Sequence, residues 1–258
     1  ELFLGGLVDI GARNGLKSVA VVEEDALFPK AAGKGAVELA RKMGMNVVLH
    51  ETYPKGTKDF SAILAKIKAA KTDVFGMAAS SLGDFIVVAR QMKEHDINVK
   101  MFGTSGAVAE FQQQLGKTAD FSYGLSAWEP SLPNPGIKQF VDSYKKEFNR
   151  DPSFHAAGAY GSCQIFMEAA RRAGSLDSDK LREQLLKLKT KTIFSDYAVD
   201  ERGYQIANKG LFIQWQDGAK VVVWPDELAT AKPRFPTPSW AQRYRSCRRG
   251  ALLGAQRP

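Results

Sequence analysis

The sequence predicts an α/β protein built on a parallel sheet. Three observations carry that expectation: apolar runs of strand length, helix-length amphipathic segments alternating with them, and glycine or capping residues at the joins. The runs at Lys17–Val22, Asn46–Glu51, Asp73–Ala78 and Val99–Gly103 read as strands bounded by turn residues. Ala31–Met43, Phe60–Ala70 and Leu82–His95 lie between them and read as helices. Thr57 or Asp59 is placed to cap the second of these, and Gly44 follows the first where a C-terminal glycine belongs. Strict alternation of this kind demands right-handed crossovers in one parallel sheet.

In such a sheet, ligands bind at the carboxyl ends of the strands, where chain enters helix and backbone N–H groups are free. Four junctions therefore stand out: Glu23–Pro29, Thr52–Thr57, Ala79–Ser81 and Thr104–Gly106. They mix small, polar and aromatic side chains, which suits a pocket for a small molecule. The plain alternative for each is a solvated connection.

Nucleotide and catalytic signatures fail at these places. Gly116-Lys117-Thr118 has the ending of a phosphate-binding loop, but Phe111 stands where the first glycine is required. Gly33-Lys34-Gly35 falls inside a predicted helix, and Glu23, Glu24 and Asp25 would repel a phosphate. The three histidines, His50, His95 and His155, are scattered and make no metal-ligand spacing. Gly103-Thr104-Ser105-Gly106 lacks the spacing of a nucleophile elbow. An enzyme is therefore not expected, nor is a cofactor or a metal.

The 258 residues carry a formal charge of +8, which invites a nucleic-acid reading until the charges are located. From Leu228 to Pro258 there are seven basic residues and no acidic one, and the rest of the chain has 29 basic against 28 acidic. The excess belongs to a tail and not to a folded face with stacking or readout groups, so no nucleic-acid partner is expected. Two cysteines, Cys163 and Cys247, make neither a disulfide framework nor a redox pair. Cys163 lies in a helical pattern and is expected to be buried as a small hydrophobe. No signal peptide is read at Glu1-Leu2-Phe3-Leu4, and no apolar run reaches the length of a membrane helix.

The second half changes character at Trp128-Glu129-Pro130, where Pro130, Pro133 and Pro135 interrupt the strand–helix pattern. Helices are predicted over Ile137–Phe148, Ala156–Ala173 and Ser178–Lys189, the last opening on a capping-box-like Ser178-x-x-Leu181 that lacks its Glu. Gly210–Trp215, a Gln216-Asp217-Gly218 turn and Ala219–Trp224 then read as a β-hairpin, because Asp-Gly supplies the positive φ angles a tight hairpin needs. From Ala231 onward Pro233, Pro236, Pro238 and the arginines predict a segment without a core.

Taken in order, the segments "EEDALFPKAAGKGA", "ETYPKGTKDFSAILAKIKAAKTDVF", "GTSG", "AYGSCQIFMEAARRAG" and "VVVWPDELATAKP" resemble the substrate-binding proteins of ABC transporters, branched-chain amino-acid type. The resemblance covers Glu1 to about Pro238. It implies a type I periplasmic binding fold, in which two α/β lobes close over a solute, and an extracytoplasmic, periplasmic location. Family members carry most of one lobe ahead of the segment that begins here. The expected division is a complete lobe over 1–126, helices of the other lobe over 127–207, a hairpin returning to the first lobe over 208–230, and a Pro/Arg-rich tail over 231–258.

The resemblance also implies the partners: a small-molecule solute and an ABC permease in the membrane. Phe28 matches an aromatic that covers the ligand, although packing as a staple on its own helix is the alternative. Ala79 and Ser80 match pocket residues of the third junction. Ser105 stands where amino-acid receptors place an acidic residue against the ligand ammonium, and Trp128 is a fifth candidate. With no acid at 105, the expected solute is a small or aromatic carboxylic acid or an amide, with an amino acid as the runner-up, for which Glu24 or Glu129 would supply the charge. A ligand-sensing module of the same fold is the alternative function.

Overall fold

The structure, a computed structural model, describes residues 3–208 and 210–244. The chain divides into two compact units, Glu1–Leu125 with Phe212–Pro258, and Ser126–Leu211.

The first unit is built on a seven-stranded sheet. Its strands are β1 (Ser18–Glu24), β2 (Asn46–Tyr53), β3 (Val74–Ala78), β4 (Met101–Thr104), β5 (Ser122–Ser126), β8 (Leu211–Gln216) and β9 (Ala219–Trp224), in the order β2-β1-β3-β4-β5-β8-β9. The pairs joining β2, β1, β3, β4 and β5 are parallel, as the alternation requires. Helices cover both faces, so β1 from Val19 onward and all of β3 are buried, and Val19–Val22 and Val74–Ala78 read as apolar runs. α1 (Gly5–Arg13) and α2 (Leu27–Lys42) share a core with β1 in which Leu7, Ile10, Val19, Val21, Ala36 and Met101 are buried. α3 (Ser61–Ala69), α4 (Leu82–Glu94) and α5 (Ala109–Leu115) complete the crossovers. Gly44 follows α2 at φ +75°. Asp59 accepts the Ser61 N–H at 2.8 Å, at the start of α3.

The hairpin forms as the Asp-Gly signal predicts. β8 and β9 are antiparallel, and Asp217 and Gly218 take φ +54° and +80° between them.

The segment after Ala231 corrects an expectation, because over its described part it is packed onto the first unit. Thr237 donates from both its N–H and its hydroxyl to the Lys100 carbonyl, and the Trp240 indole donates to the Ile97 carbonyl at 3.0 Å. The Arg243 guanidinium lies 3.7 Å over the Trp240 ring and donates to Asn98 Oδ1 at 2.8 Å and to the Pro238 carbonyl at 2.9 Å. Burial pulls its pKa down to about 10. A proline-rich string has few donors and no periodicity, yet it docks because an indole and a guanidinium satisfy carbonyls at the strand-entry turn. Trp240→Ala is expected to release residues 237–244 and lower the stability of this unit by about 3 kcal/mol, read as a drop in the urea midpoint. Arg245, Cys247, Arg248, Arg249 and Arg257 lie outside the described residues.

The second unit holds α6 (Ile137–Phe148), α7 (Phe154–Ala173), α8 (Ser178–Lys187) and a short pair, β6 (Thr190–Lys191) with β7 (Asp196–Tyr197). Its core is Trp128, Ile137, Phe140, Ala157 and Ile193. α8 is capped by Asp177, whose carboxylate accepts the Asp179 and Lys180 N–H groups, and not by a box beginning at Ser178. Cys163 is exposed, which corrects its expected burial. The small residues Ala157, Gly161 and Ala169 form the inward face of α7, and Cys163 shares the outward side with Phe166 and Met167. Among the described residues no helix is long and apolar enough to cross a membrane.

Candidate functional site

The carboxyl ends of β1, β3 and β4 are adjacent in the sheet and bring three of the four junctions together. Side chains alternate across a strand, so Glu23 and Glu24, the last two residues of β1, leave it on opposite faces.

Glu23 turns under α2. Its carboxylate meets His50 Nε2 at 2.9 Å and accepts the Thr52 hydroxyl at 3.2 Å, both from β2. Gly33 makes room for it: a Cβ there would stand 1.7 Å from Glu23 Oε2. Gly33, which looks like a fragment of a phosphate loop, thus serves a close approach between helix and carboxylate.

Glu24 turns the other way and is 1% exposed. One oxygen accepts the Ser80 N–H at 2.7 Å. In the same turn the Ala79 N–H donates to Ser105 Oγ at 3.3 Å, and the Ser105 N–H donates to the Met77 carbonyl at 2.9 Å. Ser80 and Ser81 are exposed, and Ser81 caps α4 by accepting the Gly83 N–H. The fourth junction is tied in by Asp25, whose N–H donates to the Tyr53 carbonyl, and by the buried Tyr53 hydroxyl, which donates to Asp84 Oδ2 at 2.9 Å.

Phe28 sits in the first turn of α2, 40% exposed, with its ring edge-on to Phe3 at 4.7 Å between centroids. The contact fixes the ring against the segment before α1 and leaves one side open. Ala79 is buried beneath the exposed Ser80, and Ser105 is buried with its hydroxyl engaged by the Ala79 amide. The structure therefore gathers Phe28, Ala79, Ser80 and Ser105 within one unit. Trp128 belongs to the other: it is 2% exposed, its indole donates to the Ile193 carbonyl at 2.9 Å, and its ring meets the Phe140 edge.

Sequence reasoning missed the Tyr53–Asp84 pair and the role of Glu24 in holding Ser80. The acidic run at the end of β1 was a signal for Glu24. Nothing local marked Asp84, 31 residues from its partner. Burial, reinforced by Asp84, holds the Tyr53 phenol above its ordinary range, and burial does the same for Tyr123. Both must stay neutral in the fold, so their contribution is complete below the unfolded tyrosine pKa of about 10 and is lost as pH rises beyond it. Raising pH from 8 to 11 should lower the urea midpoint, and Tyr53→Phe should show a smaller decline over that interval. Equal declines would contradict this.

Among the described residues no group of three or more His, Cys, Asp or Glu is placed to hold a metal ion. A cavity of about 610 Å³ lies elsewhere, lined by Lys117, Asp120, Phe121 and the 236–243 segment. The Arg243 guanidinium beside it is already bonded within the protein.

Comparison with known proteins is consistent across families, curated sequences and solved structures. The family described as "Periplasmic binding protein" matches residues 5–220. "Leu/Ile/Val-binding protein homolog 7" of Brucella melitensis is 24% identical over 231 residues, covering 84% of this chain and 57% of that protein. Homolog 8 from the same organism is 24% identical over 233 residues. The chain thus spans 57% of the length of these curated relatives. A leucine binding protein from Thermotoga maritima superposes with a TM-score of 0.76 at 19% identity, over 85% of this chain and 63% of that one. A periplasmic binding protein from Burkholderia mallei superposes with a TM-score of 0.75 at 22% identity, over 92% and 66%. The fold is that of the type I periplasmic binding proteins.

Proposed function

The chain belongs to the periplasmic binding protein family, and from that membership we propose that it acts as the solute receptor of an ABC importer, outside the cytoplasm. The solute is a small organic molecule, an amino acid, an amide or a small or aromatic carboxylic acid, taken up on the surface made by Phe28, Ala79, Ser80 and Ser105. It is handed unchanged to a permease in the membrane. The observation that carries the reading is a half-exposed Phe28 ring and an exposed Ser80 turn that follow the carboxyl ends of two adjacent parallel strands, β1 and β3. An aromatic face offers area and stacking, and the turn offers polar groups for orientation.

Binding without chemistry fits the side chains present. His50 is engaged with Glu23 and lies with Thr52 under α2, while the Ser105 hydroxyl is engaged by the Ala79 amide. No base is thereby joined to that hydroxyl. The names of the curated relatives favour leucine, isoleucine or valine within the proposed class. A serine at 105 favours an acid or amide, which has no ammonium that a carboxylate there would have to pair.

A thermal-unfolding panel tests this, using L-leucine, L-valine, acetamide, benzoate and isovalerate on the full chain. A ligand held only by the folded state adds stability by mass action, about 2.7 kcal/mol at a hundredfold excess over Kd, and so raises the midpoint. One chemical class is expected to give a saturable rise that Phe28→Ala weakens at least tenfold. A folded chain whose midpoint no solute of the panel moves contradicts the proposal.

A further inference from the structure

We infer that Glu24 is the positioning residue of this surface: its buried carboxylate fixes the Ala79–Ser81 turn, and it does so as a hydrogen-bond acceptor and not as a counter-charge for the solute. This rests on the receptor reading above for its functional meaning, though not for its geometry.

β1 and β3 pair in parallel as far as Glu23 opposite Ala78, which is the last residue of β3. Beyond it the β3 chain leaves the ladder, and its next amides lose their strand partners. Two side chains replace them. The Ala79 N–H goes to Ser105 Oγ, from the end of β4, and the Ser80 N–H goes to Glu24, from the end of β1. The turn is clamped from both neighbouring strands, by two successive amides, before Ser81 starts α4. Of the two clamps the one from Glu24 is the shorter, 2.7 Å against 3.3 Å, as expected when the acceptor is a carboxylate.

The direction of the Glu24 side chain follows from strand geometry. Glu23 is committed to the opposite face by Gly33, His50 and Thr52, so the adjacent residue is left to serve the β3 side. Ser80 itself is exposed, and its backbone is what Glu24 holds. Without the clamp the Ala79–Ser81 backbone loses the anchor that sets where Ser80 stands at the end of β3.

Amide hydrogen exchange by NMR on the full chain tests the assignment, comparing wild type with Glu24→Gln and Glu24→Ala. Gln keeps a carbonyl oxygen at nearly the same reach and discards the charge, whereas Ala discards both. Exchange of the Ser80 amide should accelerate at least thirtyfold in Glu24→Ala, with Val74–Met77 unchanged, and stay within threefold of wild type in Glu24→Gln. Affinity for the solute found in the thermal panel should follow the same order. If Glu24→Ala does not fold, Glu24→Asp replaces it, since one methylene less takes the carboxylate off the Ser80 amide and should give at least a tenfold acceleration. Acceleration in both the truncated and the Gln variants, or in neither, overturns the inference, as does a uniform acceleration through β1 and β3. Exchange is read without solute, so a chain that binds nothing in the panel loses the receptor reading while this result still stands or falls by itself.

Discussion

Gly33→Ala is expected to destabilise the first unit by about 3 kcal/mol, read as a fall in the urea midpoint at unchanged slope. The added Cβ would fall 1.7 Å from Glu23 Oε2 and 2.9 Å from its Cδ, distances no side-chain adjustment of a methyl can relieve. Either α2 lifts from the sheet, or Glu23 swings away from His50 and Thr52 and leaves a buried carboxylate without those partners. The two causes separate in a double-mutant cycle. Glu23→Ala removes the two closest clashing atoms, so Gly33→Ala should cost much less in that background, with a coupling above 1 kcal/mol. Because α2 carries Phe28 in its first turn, the same substitution should weaken solute binding as well as stability. A change within 0.5 kcal/mol would mean that α2 and Glu23 are not packed as described.

Trp128→Ala should cost the second unit about 3–5 kcal/mol. The residue joins Phe140 and Ile193 in the core of that unit, and its indole takes the Ile193 carbonyl. Truncation leaves a large void and strips that carbonyl of a donor. Trp128→Phe keeps an aromatic and loses the donor, for about 1–3 kcal/mol. The loss is local to the second unit, so the measurement is amide exchange in α6 and α7, with β1 and β3 of the first unit as the internal reference. The reference strands should be unaffected. A variant that keeps its α6 and α7 protection but loses the thermal response to solute would return Trp128 to the binding surface.

The parts of this protein legible in the sequence are those whose physics is local. Parallel strands covered on both faces show as apolar runs, and β1, β3 and the α4 segment fall within two residues of where periodicity puts them. The Asp217-Gly218 turn was readable because few residues accept its backbone angles. α1 is not marked by any local pattern. Its Gly5-Gly6-Leu7-Val8 opening has poor helix propensity, which is outweighed by close packing on the sheet, where Leu7 is fully buried. β5, with Ser122, Gly124 and Ser126, lacks the apolar run that announces a strand, and its place is set by pairing with β4.

The site divides along the same line. Topology directs attention to the carboxyl ends of the strands, and Phe28, Ala79, Ser80 and Ser105 all lie at such ends within one unit. What each side chain does was not legible, since the decisive partners are distant in sequence. Ser105 meets Ala79 across 26 residues and Glu24 meets Ser80 across 56. Cys163 and the 237–244 segment misled for a related reason. Small residues on two sides of α7 leave its inward face ambiguous, and a proline-rich composition says nothing about an indole that finds a carbonyl 143 residues away.

The most direct test of the central claim is residue-by-residue NMR mapping of solute binding on the full chain, titrating L-leucine and, separately, benzoate. The account predicts that saturable shifts with a single Kd gather at the amides of Phe28, Ala79, Ser80 and Ser105 for one of the two. Saturable shifts centred elsewhere, for instance on Phe121 and Arg243 at the 610 Å³ cavity, or no shifts with either solute, would contradict it.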